Sequence, residues 1–138
     1  MIYLDTCALL KLIRHEPETP ALTAWINDRA GTMWFTAEVA RTELARSLRR
    51  INHDQDAKLL DADLKQAADL CERLDLIPMT TRVLTDAAAL EQPFLRTIDA
   101  LHIAAAAGLR ASVSAFVTYD KRLAAAAETA GLPVAAPA

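Results

Sequence analysis

Four carboxylates, Asp5, Glu43, Asp99 and Asp120, are the residues of this chain whose types and placement could do chemistry. Singly, each has an ordinary explanation. Asp5 follows the apolar run Ile2-Tyr3-Leu4 and Asp120 follows Phe116-Val117-Thr118-Tyr119, so both suit helix N-caps. Asp99 suits the dipole of a helix start, and a solvated role is the default for Glu43. Together they suggest more. Asp5 and Asp120 fall where strands hand over to helices, the rim where open parallel sheets bind ligands. Val39, Glu43 and Ser47 recur at i, i+4 and i+8 beside the stripe Ala40-Leu44-Leu48, while Arg41 and Arg49 fill the outer side. Glu43 therefore faces partly inward. Asp99 adjoins a predicted buried stripe of Ile98, Leu101, His102, Ala105 and Leu109, with Thr97 placed to cap that helix. Four acids on one rim repel unless a cation compensates them. A hard divalent ion, Mg²⁺ or Mn²⁺, one or two in number, is the natural partner of oxygen ligands. Acid-only sites of this kind recur in phosphoryl transfer. Cys7 and Cys71 are the only cysteines and lack CxxC spacing, so no zinc site is indicated.

The elements that would position these acids alternate. Strands are predicted at Ile2-Tyr3-Leu4, Thr32 to Phe35, Leu76 to Met79 and Ala115 to Thr118, with Leu132-Pro133-Val134 as a short last one. Helices are predicted after Asp5-Thr6, from near Pro17 to Gly31, from a Thr36 cap to about Arg50, over His53 to Arg73, over Thr81 to Leu90, through the alanine-rich segment after Thr97, and from Asp120 to Gly131. Such alternation predicts βαβ units: one three-layer α/β/α domain over residues 1–138, with a central, largely parallel sheet of four to five strands.

Composition narrows the class. The chain has 138 residues, 53% hydrophobic and 24% charged, which is globular rather than disordered. No apolar run reaches the roughly 20 residues of a membrane helix, and the start reads as a strand rather than a signal peptide. A cytoplasmic location without membrane contact is expected, which the sparse cysteines suit. The net charge of −3 does not exclude nucleic acid, because local clusters matter more. Arg41, Arg46, Arg49 and Arg50 lie within ten residues and, with Arg96, could hold a nucleic-acid backbone; a solvated helix face is the alternative.

Four segments in order resemble the PIN-domain ribonucleases of the VapC toxin type, and the resemblance covers nearly the whole chain. They are Met1-Ile2-Tyr3-Leu4-Asp5-Thr6 with the following Ala8 to Leu12, then Thr42-Glu43-Leu44, then Thr97-Ile98-Asp99-Ala100-Leu101-His102, then Phe116-Val117-Thr118-Tyr119-Asp120-Lys121-Arg122-Leu123. The resemblance implies a PIN-like fold and a metal-dependent endoribonuclease restrained by a small cognate antitoxin. Asp5, Glu43, Asp99 and Asp120 would form its acidic quartet, with Asp5 and Asp99 the surest metal ligands. Thr118 would be a supporting hydroxyl beside the ligands, and Thr6 another. Many relatives carry Ser where this chain has Cys7, so no hydroxyl role is expected there. The expected reaction is in-line attack by metal-activated water on an RNA phosphodiester, leaving 5′-phosphate and 3′-hydroxyl ends. His102 reads as a core or supporting histidine, and Trp25 and Trp34 as core or interface anchors with base stacking the alternative. Self-association is expected from the apolar content, and the resemblance suggests a homodimer. The competing reading is a catalytically idle RNA- or partner-binding α/β module whose acidic pocket accepts a basic side chain. A phosphatase-like pocket is disfavoured, since Thr6 and Cys7 follow Asp5 where Asp-x-Asp would be needed.

Overall fold

A computed structural model describes all 138 residues. Five strands form one sheet in the order β3-β2-β1-β4-β5, every neighbouring pair parallel. They are β1 (Ile2–Leu4), β2 (Trp34–Ala37), β3 (Asp75–Ile77), β4 (Ala115–Val117) and β5 (Val134–Ala135). Seven helices alternate with them: α1 (Thr6–Ile13), α2 (Thr19–Asn27), α3 (Ala40–Ile51), α4 (Ala57–Cys71), α5 (Thr81–Ala88), α6 (Thr97–Ala107) and α7 (Lys121–Thr129).

Strand alternation sets the layers, since successive side chains point to opposite faces. Ile2 and Leu4 of β1, with Ala115 and Val117 of β4, pack against α1, α2, α3 and α4 through Leu9, Leu22, Leu44, Leu48 and Leu70. Tyr3, Phe35 and Phe116 point the other way, against Ile103 and Ala106 of α6 and Leu123 and Ala127 of α7. Tyr3 stacks on Phe116 and meets Phe35 edge-on, with centroids 4.7 and 5.1 Å apart. The three-layer, parallel architecture is as expected, with five strands.

Several boundaries differ, each for a local reason. Helix α2 opens at Thr19, not near Pro17, because Lys11 binds Glu16 and Glu18 and holds that linker as a turn. Thr36 lies inside β2 and caps nothing; α3 starts four residues later, at Ala40. The helix expected from His53 begins at Ala57, where Asp56 accepts from the Lys58 amide. Thr97 is the first residue of α6 rather than its cap, and Arg96 occupies the cap position. The stripe predicted on α6 holds only in part. His102 and Ala105 are buried as expected, Ile98 and Leu101 are only partly buried and Leu109 is exposed, while Asp99, Ile103 and Ala106 join the buried side. Alanines on several faces let α6 sit between the sheet and α5, where Ala87 meets Ala100 and Ala104, so periodicity could not choose one face.

Candidate active site

The chain runs from β1 outward to β2 and β3, then returns to place β4 on the other side of β1. That reversal opens a crevice at the carboxyl ends of β1 and β4. Asp5 leaves β1 there and Asp120 follows β4, while α3 brings Glu43 and α6 brings Asp99. All four carboxylates line one cavity of about 270 Å³, together with Thr6, Cys7, Ser47, Arg50, Arg96 and His102.

Asp5 is the most enclosed of the four acids, 2% exposed. One of its oxygens accepts from the Ala8 amide at 2.7 Å, capping α1, and the other from the Thr118 hydroxyl at 2.5 Å. It forms no ion pair. Burial pushes its pKa up to about 6, against the lowering pull of the Thr118 and Ala8 hydrogen bonds. Thr118 in turn accepts from the Asp120 amide at 3.1 Å, tying the two strand ends together.

Asp99 and Asp120 share one arginine. Arg96 Nε donates to Asp99 at 2.8 Å and its Nη2 to Asp120 at 3.0 Å. The second Asp120 oxygen caps α7 through the amides of Arg122 and Leu123. Desolvation raises Asp120, but those amides and Arg96 outweigh it and hold the carboxyl below its ordinary range.

Glu43 belongs to a hydrogen-bonded chain that begins in the sheet. The Tyr3 hydroxyl accepts from the Ala37 amide at 3.1 Å and meets His102 Nδ1 at 2.5 Å. His102 Nε2 meets Glu43 at 2.5 Å, and the Thr6 hydroxyl donates to the same carboxylate oxygen at 2.5 Å. With a neutral ring, one assignment satisfies all of these partners: Tyr3 donates to Nδ1 and Nε2–H donates to Glu43. Desolvation raises Glu43, yet the His102 and Thr6 contacts and the nearby Arg96 charge outweigh it, so the carboxyl lies below its usual range.

The crowding expected from sequence is thus partly relieved from within, by the charge of Arg96 on Asp99 and Asp120 and by the hydrogen bond between His102 and Glu43. As the side chains stand, no three His, Cys, Asp or Glu groups converge to hold an ion. The donor set still fits a hard divalent cation in kind. It consists of carboxylate oxygens, and the buried Asp5 is held by the Thr118 hydroxyl and the Ala8 amide without an ion-pair partner. Cys7 offers no competing soft ligand, because burial, then the Asp5 charge, pushes its thiol up to about 11.

The remaining candidates divide. Arg50 lines the cavity with Arg96, whereas Arg41, Arg46 and Arg49 are exposed on α3 outside it. Trp34 opens β2 at the far end of the sheet, and Trp25 lies under Arg29 at 3.9 Å, both packed on the first core. Neither Trp meets the acids. Sequence reasoning passed over Tyr3, which reads only as a strand residue.

An all-parallel sheet between helix layers, with its acids at the strand-order reversal, is the arrangement of a doubly wound α/β protein. The profile described as the PIN domain matches residues 2–129. The chain is 40% identical to Ribonuclease VapC35 of Mycobacterium tuberculosis, over 99% of this chain and 97% of that protein. It is 36% identical to Ribonuclease VapC47 of the same species, with the same coverage. In three dimensions it resembles a chain of the crystal structure of VapBC2 from Rickettsia felis bound to a promoter DNA fragment, with a TM-score of 0.74, full coverage of both chains and 14% identity. The chain belongs to the PIN-domain family, among its VapC ribonucleases.

Proposed function

We propose that this protein is a divalent-metal-dependent endoribonuclease, the toxin of a toxin–antitoxin pair, hydrolysing RNA phosphodiesters. The observation that carries the metal reading is Asp5, a buried carboxylate without a cation, set among three further acids. The ribonuclease relatives carry the choice of RNA. Asp5 and Asp99 would hold Mg²⁺ or Mn²⁺, with Glu43 and Asp120 completing the set. When bound, the ion supplies a Lewis acid for the attacking water and for the phosphate oxygens. The chain's own groups do the rest. Thr118 and the Ala8 amide fix both oxygens of Asp5, and His102 and Thr6 fix Glu43. Arg96 and Arg50, at the cavity wall, meet the phosphate backbone. Arg41, Arg46 and Arg49 extend that contact along α3. Arg96 already shows that the acids accept a guanidinium, which suits restraint by a basic side chain of a small antitoxin. The same reading makes the working form a cytoplasmic homodimer. No helix is long and apolar enough to cross a membrane.

The test is cleavage by purified protein freed of any partner. Asp99→Asn should lose at least about a hundredfold in rate with its fold intact, on the scale of losing one charge-stabilising group. EDTA should abolish cleavage, and Mg²⁺ or Mn²⁺ should restore it. Undiminished cleavage in EDTA would refute the metal assignment. No cleavage of any RNA would favour the idle binding module.

A further inference from the structure

A second cavity, of about 280 Å³, adjoins the acidic one and shares Asp99 with it. Its wall carries Phe94, Leu95, Ala126 and Arg122. Phe94 is 85% exposed, whereas the other two phenylalanines, Phe35 and Phe116, are wholly buried. The loop that holds it runs directly into Arg96, which bridges Asp99 and Asp120. From the other side Arg122 reaches over and donates to the Phe94 carbonyl at 3.4 Å. An aromatic ring, apolar side chains and the Arg122 guanidinium therefore line one cavity that touches the acidic site at Asp99, with Arg96 on the acidic side. Gln92 belongs to the same loop, and its Oε1 is buried without a hydrogen-bond partner. Within the loop the Leu95 amide donates to the Gln92 carbonyl at 3.2 Å, which holds Phe94 at the tip of a turn.

We propose that Phe94 and this cavity form a nucleobase subsite, which takes one unpaired base flanking the scissile phosphate of single-stranded RNA. The proposal rests on the ribonuclease reading given above. Sequence-tolerant capture of single strands combines cationic contacts to the backbone with aromatic faces for the bases, and both are present here. Arg96 and Arg122 would hold phosphates on either side of the stacked base. Phe94 would stack on that base and so settle which phosphate lies against Asp99. This makes Phe94 a substrate-positioning residue rather than part of the acid machinery.

The experiment measures binding and cleavage separately. Binding is followed by fluorescence polarisation of a labelled random-sequence RNA of about 12 nucleotides in EDTA, where no cut is expected. Cleavage is followed with Mg²⁺ on an RNA that the wild type cuts, and on versions with one abasic position each. Phe94→Ala should weaken binding by roughly 5- to 150-fold, the range for loss of one stacked base. Phe94→Trp should restore it, whereas Phe94→Leu, apolar without a π face, should not. One abasic position beside the cut should impair the wild type and leave Phe94→Ala no worse. Equal affinity and equal cleavage of wild type and Phe94→Ala would overturn the subsite and leave the nuclease standing. Full rescue by Phe94→Leu would overturn stacking, and so would a change in oligomeric state on sedimentation, which would make Phe94 an interface residue. A wild type that neither binds nor cuts RNA would remove the ribonuclease reading and the subsite with it.

Discussion

Asp5→Asn should make the ion-free protein more stable while removing its activity. Burial lifts the Asp5 carboxyl from 3.8 to about 6, so the folded state holds its proton more tightly than the unfolded chain does. Between those values the folded state binds more protons, and this group's contribution to stability falls as pH rises through the window. At 1.36 kcal/mol per tenfold change in proton affinity, the penalty at neutral pH is about 3 kcal/mol. Asparagine removes the charge and keeps the shape. Its oxygen still accepts from the Ala8 amide, and the Thr118 oxygen can accept from its amide group. The measurement is urea unfolding in EDTA, wild type against variant, from pH 4 to pH 8. The two should coincide near pH 4, where the wild-type carboxyl is protonated. The variant should then gain up to about 3 kcal/mol by pH 7. Taking the difference at each pH cancels the other titrating groups. Mg²⁺ or Mn²⁺ at 100 times its dissociation constant should return about 2.7 kcal/mol to the wild type and little to the variant. A variant no more stable than wild type at pH 7, or a difference that does not change with pH, would refute the claim that Asp5 is an uncompensated buried charge.

Substitutions at three further residues, two beside Asp5 and one away from the site, extend the test. His102→Ala leaves a buried cavity, takes the acceptor from the Tyr3 hydroxyl and one donor from Glu43, and should cost about 3–5 kcal/mol in urea unfolding, whereas His102→Gln, which keeps a donor for Glu43, should recover part of that and part of the ion affinity. A loss below 1 kcal/mol for the alanine variant would deny the chain its structural role. Arg96→Ala removes a cation that occupies two of the acids, so Mn²⁺ should bind roughly threefold tighter or better by calorimetry while RNA binds more weakly; weaker ion binding would show Arg96 to be a support for the site. Away from the site, Arg14 donates to the buried Asp63 at 2.7 Å, joined by Asn52 at 3.0 Å. Arg14→Ala should destabilise by about 3 kcal/mol, visible as a lower urea midpoint with ion binding unchanged.

Much of this protein follows from chain order and residue type. Short apolar runs separated by amphipathic segments require a parallel sheet between helix layers, because strands of 2 to 4 residues cannot bury their faces alone. Acids at the ends of β1 and β4 must then reach the same rim, since parallel strands all present their carboxyl ends to one side. Both acids also cap the helices they begin, so local and site roles coincide at Asp5 and Asp120. What lay beyond the sequence is pairing across long separations. Tyr3 and His102 are 99 residues apart, and His102 and Glu43 are 59 apart, so no periodicity announces the chain that fixes Glu43. The same holds for Arg96, whose reach across to Asp120 turns four repelling acids into a partly neutralised set. Only one phenylalanine of three stays in solvent, and only the packing of the loop before α6 beside α7 could decide that it is Phe94. Residue type states what a side chain can do, but desolvation and neighbouring charge depend on what the fold brings within a few ångströms, and that is settled by tertiary structure alone.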